Sequence, residues 1–110
     1  MKRNSAVTSF IKEFFEATAF LPSVTAFELL LRSHNLADVE ELIQKTRILN
    51  FTKEAAEEAS NIEKDLKSRG ALIGREDIFI AATAIVNNCA LATLNFKDFS
   101  RIKGLKLIKI

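Results

Sequence analysis

Residues 73–84 read Ile73-Gly74-Arg75-Glu76-Asp77-Ile78-Phe79-Ile80-Ala81-Ala82-Thr83-Ala84 and are the most informative segment of the chain. Gly74 predicts the start of a helix over about Glu76–Asn88. This helix is apolar nearly all round from Ile78 to Val86, so we expect protein to cover most of its sides. Asp77 lies in its first turn, where an acidic side chain next to so apolar a surface needs an explanation.

Short apolar strands and helices alternate on both sides of this segment. We predict strands at Ala17–Leu21, Arg47–Phe51, Ala90–Leu94 and Leu105–Ile110. We predict helices over residues 5–16, Val24–Arg32, Leu36–Lys45 and from a cap at Thr52 to Gly70, with a short helical turn at Lys97–Ile102. Helices that alternate with strands in this way predict an α/β fold with a parallel sheet.

Two of the predicted helices have start signals. Ser23 stands where an N-cap of the helix Val24–Arg32 would lie, and Thr52 is a good cap for the long helix that follows it. The inner face of that long helix repeats at intervals of four, three and four residues, and it consists of Ala55, Ala59, Ile62 and Leu66.

Length and composition limit the class of protein. The chain has 110 residues, 48% of them hydrophobic, which predicts a single folded domain over residues 1–110. The net charge of +2 gives no strong electrostatic signal for nucleic acid, although a local basic patch is compatible with it. One cysteine excludes an internal disulfide. The longest apolar stretches, Thr18–Phe27 and Ile78–Val86, are too short to span a bilayer, so we expect a cytoplasmic protein with no membrane partner.

Four polar residues do not fit the charged helix faces on which most acidic side chains lie, and they are Glu28, Asp77, Asn95 and Asp98. Ligands gather beyond the carboxyl ends of the strands in a parallel sheet. Glu28 and Asn95 each follow a predicted strand, and Asp77 opens a helix whose dipole keeps a carboxylate ionised. Oxygen atoms that converge in this way are what Mg²⁺ requires.

Each of these residues also has a purely structural interpretation. Glu28 reaches solvent from the rim of its helix, and Asp77 is a carboxylate at a helix start without a ligand. Asn95 is a turn residue, and Asp98 caps the helical turn that begins there. The spacing alone leaves both interpretations open.

Three segments resemble the PIN-domain family, and in particular its VapC-like toxin ribonucleases. Residues 21–30, Leu-Pro-Ser-Val-Thr-Ala-Phe-Glu-Leu-Leu, are similar to the strand–helix junction that carries the family's second acidic residue, here Glu28. Residues 73–84 resemble its most recognisable segment and place Asp77 at the third acidic position. Residues 91–102 are similar to the segment that ends the active site, and Gly104-Leu105-Lys106-Leu107 also matches.

The resemblance implies a three-layer α/β/α fold and a nuclease that depends on Mg²⁺ or Mn²⁺ and cuts RNA with a metal-activated water. It implies Glu28, Asp77 and Asp98 as metal ligands, and Asn95 at a fourth position that is often Asp. Thr93 is expected to hydrogen-bond a ligand or a metal-bound water. The family also implies a homodimer and a small antitoxin protein as partner.

The chain departs from the family at its beginning. PIN domains open with a central strand that carries an aspartate, whereas no aspartate precedes Asp38 here. Met1–Phe15 instead match the helix that normally follows that strand. We therefore expect the first strand to be missing from this chain. Either the chain starts at an internal methionine of a longer active protein, or it is a natural remnant in which neighbouring strands close up or a second chain fills the gap. If this exact chain folds, we expect an intimate or strand-swapped dimer to cover the exposed strand edges.

The sequence supports three hypotheses. The first is a metal-dependent PIN ribonuclease that uses Glu28, Asp77, Asn95 and Asp98. The second is a catalytically inactive PIN-like module for binding or assembly, favoured by Asn95 in place of an acid and by the absence of the first aspartate. The third is an oligomeric structural protein without a groove, in which all four residues have their structural interpretations.

Overall fold

A computed structural model of the chain describes residues 20–32, 34–93 and 95–109. These residues belong to two compact units that divide between Leu49 and Asn50. The predicted helix over residues 5–16 and most of the predicted strand Ala17–Leu21 lie outside the described residues. The single domain over residues 1–110 stays a prediction.

The first unit contains two strands and two helices, in the order β1 (Phe20–Pro22), α1 (Ser23–Arg32), α2 (Leu36–Lys45) and β2 (Arg47–Leu49). The two strands are parallel, and Leu21 pairs with Ile48 at the centre of the register. Leu21, Ala26 and Val39 are buried. The Asn35 side chain caps α2, because its Oδ1 accepts a hydrogen bond from the backbone N–H of Asp38 at 3.3 Å.

The second unit contains three helices and two strands, in the order α3 (Lys53–Ser68), α4 (Arg75–Val86), β3 (Leu91–Thr93), α5 (Phe96–Phe99) and β4 (Leu107–Lys109). The strands again are parallel, and Ala92 pairs with Ile108 at the centre of the register. Parallel pairs separated by helices confirm the predicted α/β class.

The packing of α3 against α4 forms the core of the second unit. All four residues of the predicted inner face of α3 are buried: Ala55, Ala59, Ile62 and Leu66. On α4, the buried residues are Ile78 and Ile80–Ala84, which confirms that protein covers this apolar helix on most sides. Thr83 is fully buried, but its hydroxyl donates to the Phe79 carbonyl at 2.8 Å and so has its hydrogen bond.

Both ends of α3 follow the sequence signals. The Thr52 hydroxyl accepts a hydrogen bond from the Ala55 N–H at 3.2 Å, as expected of an N-cap. At the other end Gly70 has a φ of 64°, and the N–H of Ala71 donates to the Leu66 carbonyl at 2.8 Å. These features form a Schellman ending, in which glycine adopts the left-handed conformation without steric cost.

Other boundaries differ from the prediction. Helix α4 ends at Val86 rather than Asn88, because Asn88 takes the left-handed conformation with a φ of 54°. The Cys89 N–H then donates to the Ala84 carbonyl at 2.9 Å. Asn88 therefore takes the left-handed position at the end of α4 that Gly70 takes at the end of α3. Helix α1 begins at Ser23, which therefore lies in the first turn and does not precede it as a cap. The predicted turn at Lys97–Ile102 is the shorter helix α5.

None of the helices among the described residues combines the length and apolar character that crossing a membrane requires.

Replacing Leu66 by alanine is expected to lower the free energy of unfolding by about 2–5 kcal/mol, because this fully buried side chain would leave a cavity under α3. Urea denaturation followed by circular dichroism measures the change. The matched control is the neighbouring Lys67→Ala, whose exposed side chain predicts a change within about 0.5 kcal/mol. Equal midpoints for both variants would contradict the assignment of Leu66 to the core.

Candidate functional site

Three of the predicted site residues lie together where β3 leads into α5. Thr93 is buried at the end of β3, and its Oγ1 accepts a hydrogen bond from the Asn95 backbone N–H at 2.9 Å. The Asn95 side chain donates from Nδ2 to Oδ2 of Asp98 at 3.0 Å. We call Thr93, Asn95 and Asp98 the polar turn. Its hydrogen bonds fix a hydroxyl, an amide and a carboxylate next to the carboxyl end of a parallel strand.

The polar turn bears on the structural interpretations of Asn95 and Asp98. Asn95 immediately precedes α5, but its side chain makes no capping hydrogen bond to that helix. Asp98 is the third residue of α5, so it does not cap the helix from outside. The side chains of both residues instead bind each other. The Thr93 hydroxyl accepts the Asn95 N–H, and this bond does not use the hydroxyl hydrogen, which Thr93 can donate to a ligand.

Arg101 is a residue of this region that the sequence interpretation missed. Its Nη2 lies 4.0 Å from Oδ1 of Asp98. Its Nη1 donates to the Leu72 carbonyl at 3.2 Å and to the Ala71 carbonyl at 3.5 Å. The spacing of three residues from Asp98 was the available signal, since such pairs are neighbours on a helical turn.

Asp77 is the third residue of α4 and is half-buried. Its Oδ2 lies 3.9 Å from the position that a Cβ on Gly74 would take, so the carboxylate is directed back over the first turn of the helix. The backbone N–H groups and the dipole of a helix N-terminus favour an ionised carboxylate at this position. The local structure thus suits Asp77 as a charged oxygen ligand.

Glu28 lies in α1 of the first unit. Its side chain is 22% exposed, and its Oε2 lies 3.5 Å from Nη2 of Arg32, one helical turn later. Its partner Arg32 is 74% exposed, so the structural interpretation, in which Glu28 reaches solvent from the rim of its helix, stays open. Arg32 was also missed, although a spacing of four residues is typical of such ion pairs. The convergence of Glu28 with Asp77, Asn95 and Asp98 stays a prediction.

The donor atoms of the candidate residues suit a hard cation. Carboxylate, amide and hydroxyl oxygens are the ligands that Mg²⁺ and Mn²⁺ take, and no thiolate or imidazole is involved. Within each unit, the residues that the structure describes include no group of three or more His, Cys, Asp or Glu side chains placed to hold a metal ion. The donor chemistry fits the implied metal, and the metal itself stays a prediction.

A second polar cluster lies on the other side of α4. Arg75 donates to both carboxylate oxygens of Glu63 on α3, at 2.9 and 2.8 Å. This hydrogen bonding lowers the pKa of Glu63 and raises the pKa of Arg75. The pair borders a groove of about 430 Å³ that Phe51 and Phe79 also line. Arg75 and Phe79 are each two residues from Asp77, which places them roughly 200° away around the helix. This groove therefore lies on the side of α4 away from Asp77 and is not part of the candidate metal site.

The comparison with known proteins supports one family. Residues 3–105 match the family model for the PIN domain. Ribonuclease VapC1 of Rickettsia felis is 40% identical over 75 residues, which cover 68% of this chain and 56% of that protein. The tRNA(fMet)-specific endonuclease VapC of Salmonella typhimurium is 30% identical over 94 residues, which cover 79% of this chain and 71% of the relative.

The solved structures agree in fold. The crystal structure of DNA-bound VapBC from Salmonella typhimurium superposes with a TM-score of 0.81 at 28% identity, over 90% of this chain and 83% of that one. The chain spans a little over half the length of the Rickettsia relative, at 56%. The family match, the identity to VapC proteins and the parallel α/β structure together show that this chain belongs to the PIN-domain family, in its VapC-like group.

Proposed function

We propose that this chain is a VapC-type ribonuclease, which hydrolyses RNA phosphodiester bonds in a reaction that depends on Mg²⁺ or Mn²⁺. The observation that carries the proposal is the polar turn, where Thr93, Asn95 and Asp98 are hydrogen-bonded together at the carboxyl end of β3. This is where ligands bind in parallel α/β proteins. Relatives that bear the names ribonuclease and tRNA(fMet)-specific endonuclease support RNA as the substrate class.

In this proposal Glu28, Asp77 and Asp98 hold the cation, which when bound supplies an activated water and stabilises the charge that develops on the phosphate. The residues of the chain position the ligands. Asn95 donates to one oxygen of Asp98 and thereby fixes the rotation of that carboxylate. Asp77 lies in the first turn of α4, where the helix dipole is favourable to a negative charge. Thr93 donates its hydroxyl hydrogen to a ligand or a bound water.

We also propose the partners that the family implies. An antitoxin protein is supported by the likeness to the DNA-bound VapBC structure from Salmonella typhimurium. A homodimer, strand-swapped or otherwise intimate, is the assembly that we expect. We propose the cytoplasm as the location of the chain, because the proposed RNA substrate would be met there.

One observation favours a second function, a catalytically inactive module for binding or assembly. Asn95 is neutral where the family often has an acid, and its amide hydrogen is used in the bond to Asp98. The positive Arg101 is also 4.0 Å from the other oxygen of that carboxylate. Asp98 thus already has a donor and a cation near it, which reduces its tendency to attract a metal.

The substitution Asp77→Asn is expected to lower the rate of RNA cleavage by about a hundredfold or more. The amide keeps the shape of the side chain but removes the charge that binds the cation, and metal stabilisation of the transition state is worth several kcal/mol. Cleavage of a labelled RNA by the full chain, followed over time with and without a chelator, measures the effect.

The matched control is Glu76→Gln, because Glu76 lies in the same first turn of α4 but is exposed. This variant is expected to cleave RNA at the rate of the unmodified chain. Cleavage that resists the chelator, or that Asp77→Asn leaves intact, would overturn the metal-dependent ribonuclease. Absence of cleavage by the unmodified chain would support the inactive module.

The substitution Asn95→Asp separates the two candidate functions. It replaces the hydrogen bond of 3.0 Å by two neighbouring carboxylates, so it is expected to lower the melting temperature without metal. An additional charged ligand is expected to tighten Mn²⁺ binding roughly tenfold, as measured by titration calorimetry. A lower melting temperature with no gain in Mn²⁺ affinity would show that residue 95 does not face a cation site.

A further inference from the structure

We propose that Arg101 is a positioning residue, which holds the polar turn against the loop that leads into α4 and so sets Asp98 for a divalent cation. The inference rests on the proposed function, because the cation is the one that the ribonuclease requires. It assigns a role to a residue outside the set of oxygen ligands.

The guanidinium of Arg101 joins two separate segments of the second unit. One nitrogen, Nη1, donates to the carbonyls of Leu72 and Ala71 at 3.2 and 3.5 Å. The other, Nη2, lies 4.0 Å from Oδ1 of Asp98. Because the guanidinium is planar and rigid, a single side chain sets the distance between the loop and the carboxylate.

The backbone of Arg101 is itself anchored to the end of α3. Arg69 donates from Nη2 to the Arg101 carbonyl at 2.7 Å. Arg69 is held in turn by Asp65, whose Oδ2 accepts from Nη2 at 2.7 Å and from Nε at 3.1 Å. These bonds lower the pKa of Asp65, which stays charged. The hydrogen bonds that link Asp65, Arg69 and the Arg101 carbonyl therefore fix the backbone at the start of the Arg101 side chain. The loop carbonyls fix its tip.

The loop that Arg101 holds is the one that places Asp77. It runs from the Schellman ending of α3, where Ala71 donates to Leu66 at 2.8 Å, to Gly74 at the start of α4. Asp77 follows in the first turn of that helix. Arg101 therefore connects the segment that carries Asp77 with the segment that carries Asn95 and Asp98.

Each oxygen of Asp98 has a polar neighbour in this arrangement, a hydrogen-bond donor on one side and a cation on the other. Asn95 donates to Oδ2 at 3.0 Å, and Arg101 faces Oδ1 at 4.0 Å. The side chains of Arg101 and Asp98 are 35% and 34% exposed, so water screens the pair less than it screens a fully exposed one. The distance of 4.0 Å is an ion-pair distance and not a hydrogen bond, which leaves Oδ1 able to bind a cation.

A lysine at position 101 separates positioning from charge. Lysine keeps the positive charge, but its single nitrogen cannot reach the two carbonyls and the carboxylate with a fixed geometry. If Arg101 positions Asp98, both Arg101→Lys and Arg101→Ala are expected to weaken cation binding. A purely electrostatic effect predicts no change for lysine and tighter binding for alanine, because alanine removes a charge that repels the cation.

The experiment measures Mn²⁺ affinity by titration calorimetry and amide hydrogen exchange on the full chain. Arg101→Lys is expected to weaken Mn²⁺ binding roughly tenfold, as loss of groups that orient metal ligands does. Exchange of the amides of residues 72–74 and 96–99 is expected to become faster. The matched control is Arg75→Lys, which alters the pair with Glu63 near the same helix start and is expected to change neither quantity in those segments.

If the unmodified chain binds Mn²⁺ and Arg101→Lys binds it equally well, positioning by Arg101 is overturned while the proposed metal site stands. Tighter binding by Arg101→Ala would likewise overturn positioning, in favour of simple repulsion. If the unmodified chain binds no Mn²⁺, the metal-dependent function fails, and positioning toward the cation fails with it. Faster exchange in Arg101→Lys would then show only that the arginine ties the loop to the polar turn.

Discussion

The packing of α3 against α4 is the interaction on which the second unit depends. Leu66 near the end of α3 and Ile78 near the start of α4 are both almost completely excluded from solvent. Burial of apolar side chains of this size is the main stabilising contribution in a small domain. Because Asp77 precedes Ile78 directly, the same burial that anchors the helix start also fixes the backbone that carries this carboxylate.

Local hydrogen bonds then place Thr93, Asn95 and Asp98 within the same unit. The polar turn is fixed within itself, through Thr93, Asn95 and Asp98, and Arg101 connects it to the loop before α4. A site built in this way combines a rigid helix start with a short turn. The proposed metal-dependent activity would need such support, because metal ligands must keep their geometry before a cation binds.

Much of the second unit could be predicted from the sequence, because side-chain patterns record helix faces and caps. The inner face of α3 and its cap at Thr52 follow directly from periodicity and residue type. The end of α4 could not be predicted, since it depends on a left-handed backbone at Asn88 that the pattern does not record. Arg101 was missed because its partners include backbone carbonyls of residues 29 and 30 positions away, and carbonyls leave no trace in a sequence. Glu28 and Asp77 stood out because charged groups among apolar neighbours are costly to place without a purpose.

The proposed function requires Glu28, Asp77 and the polar turn to bind one divalent cation, which we propose and which has a direct test. Paramagnetic broadening of amide resonances by substoichiometric Mn²⁺ provides that test, because the effect falls steeply with distance from the ion. We expect the amides around Glu28, Asp77 and residues 93–98 to broaden first and together, and Mg²⁺ to reverse the effect. Broadening confined to other carboxylates, such as the exposed Glu54 and Glu57 of α3, or distributed over the whole chain, would contradict a shared cation site.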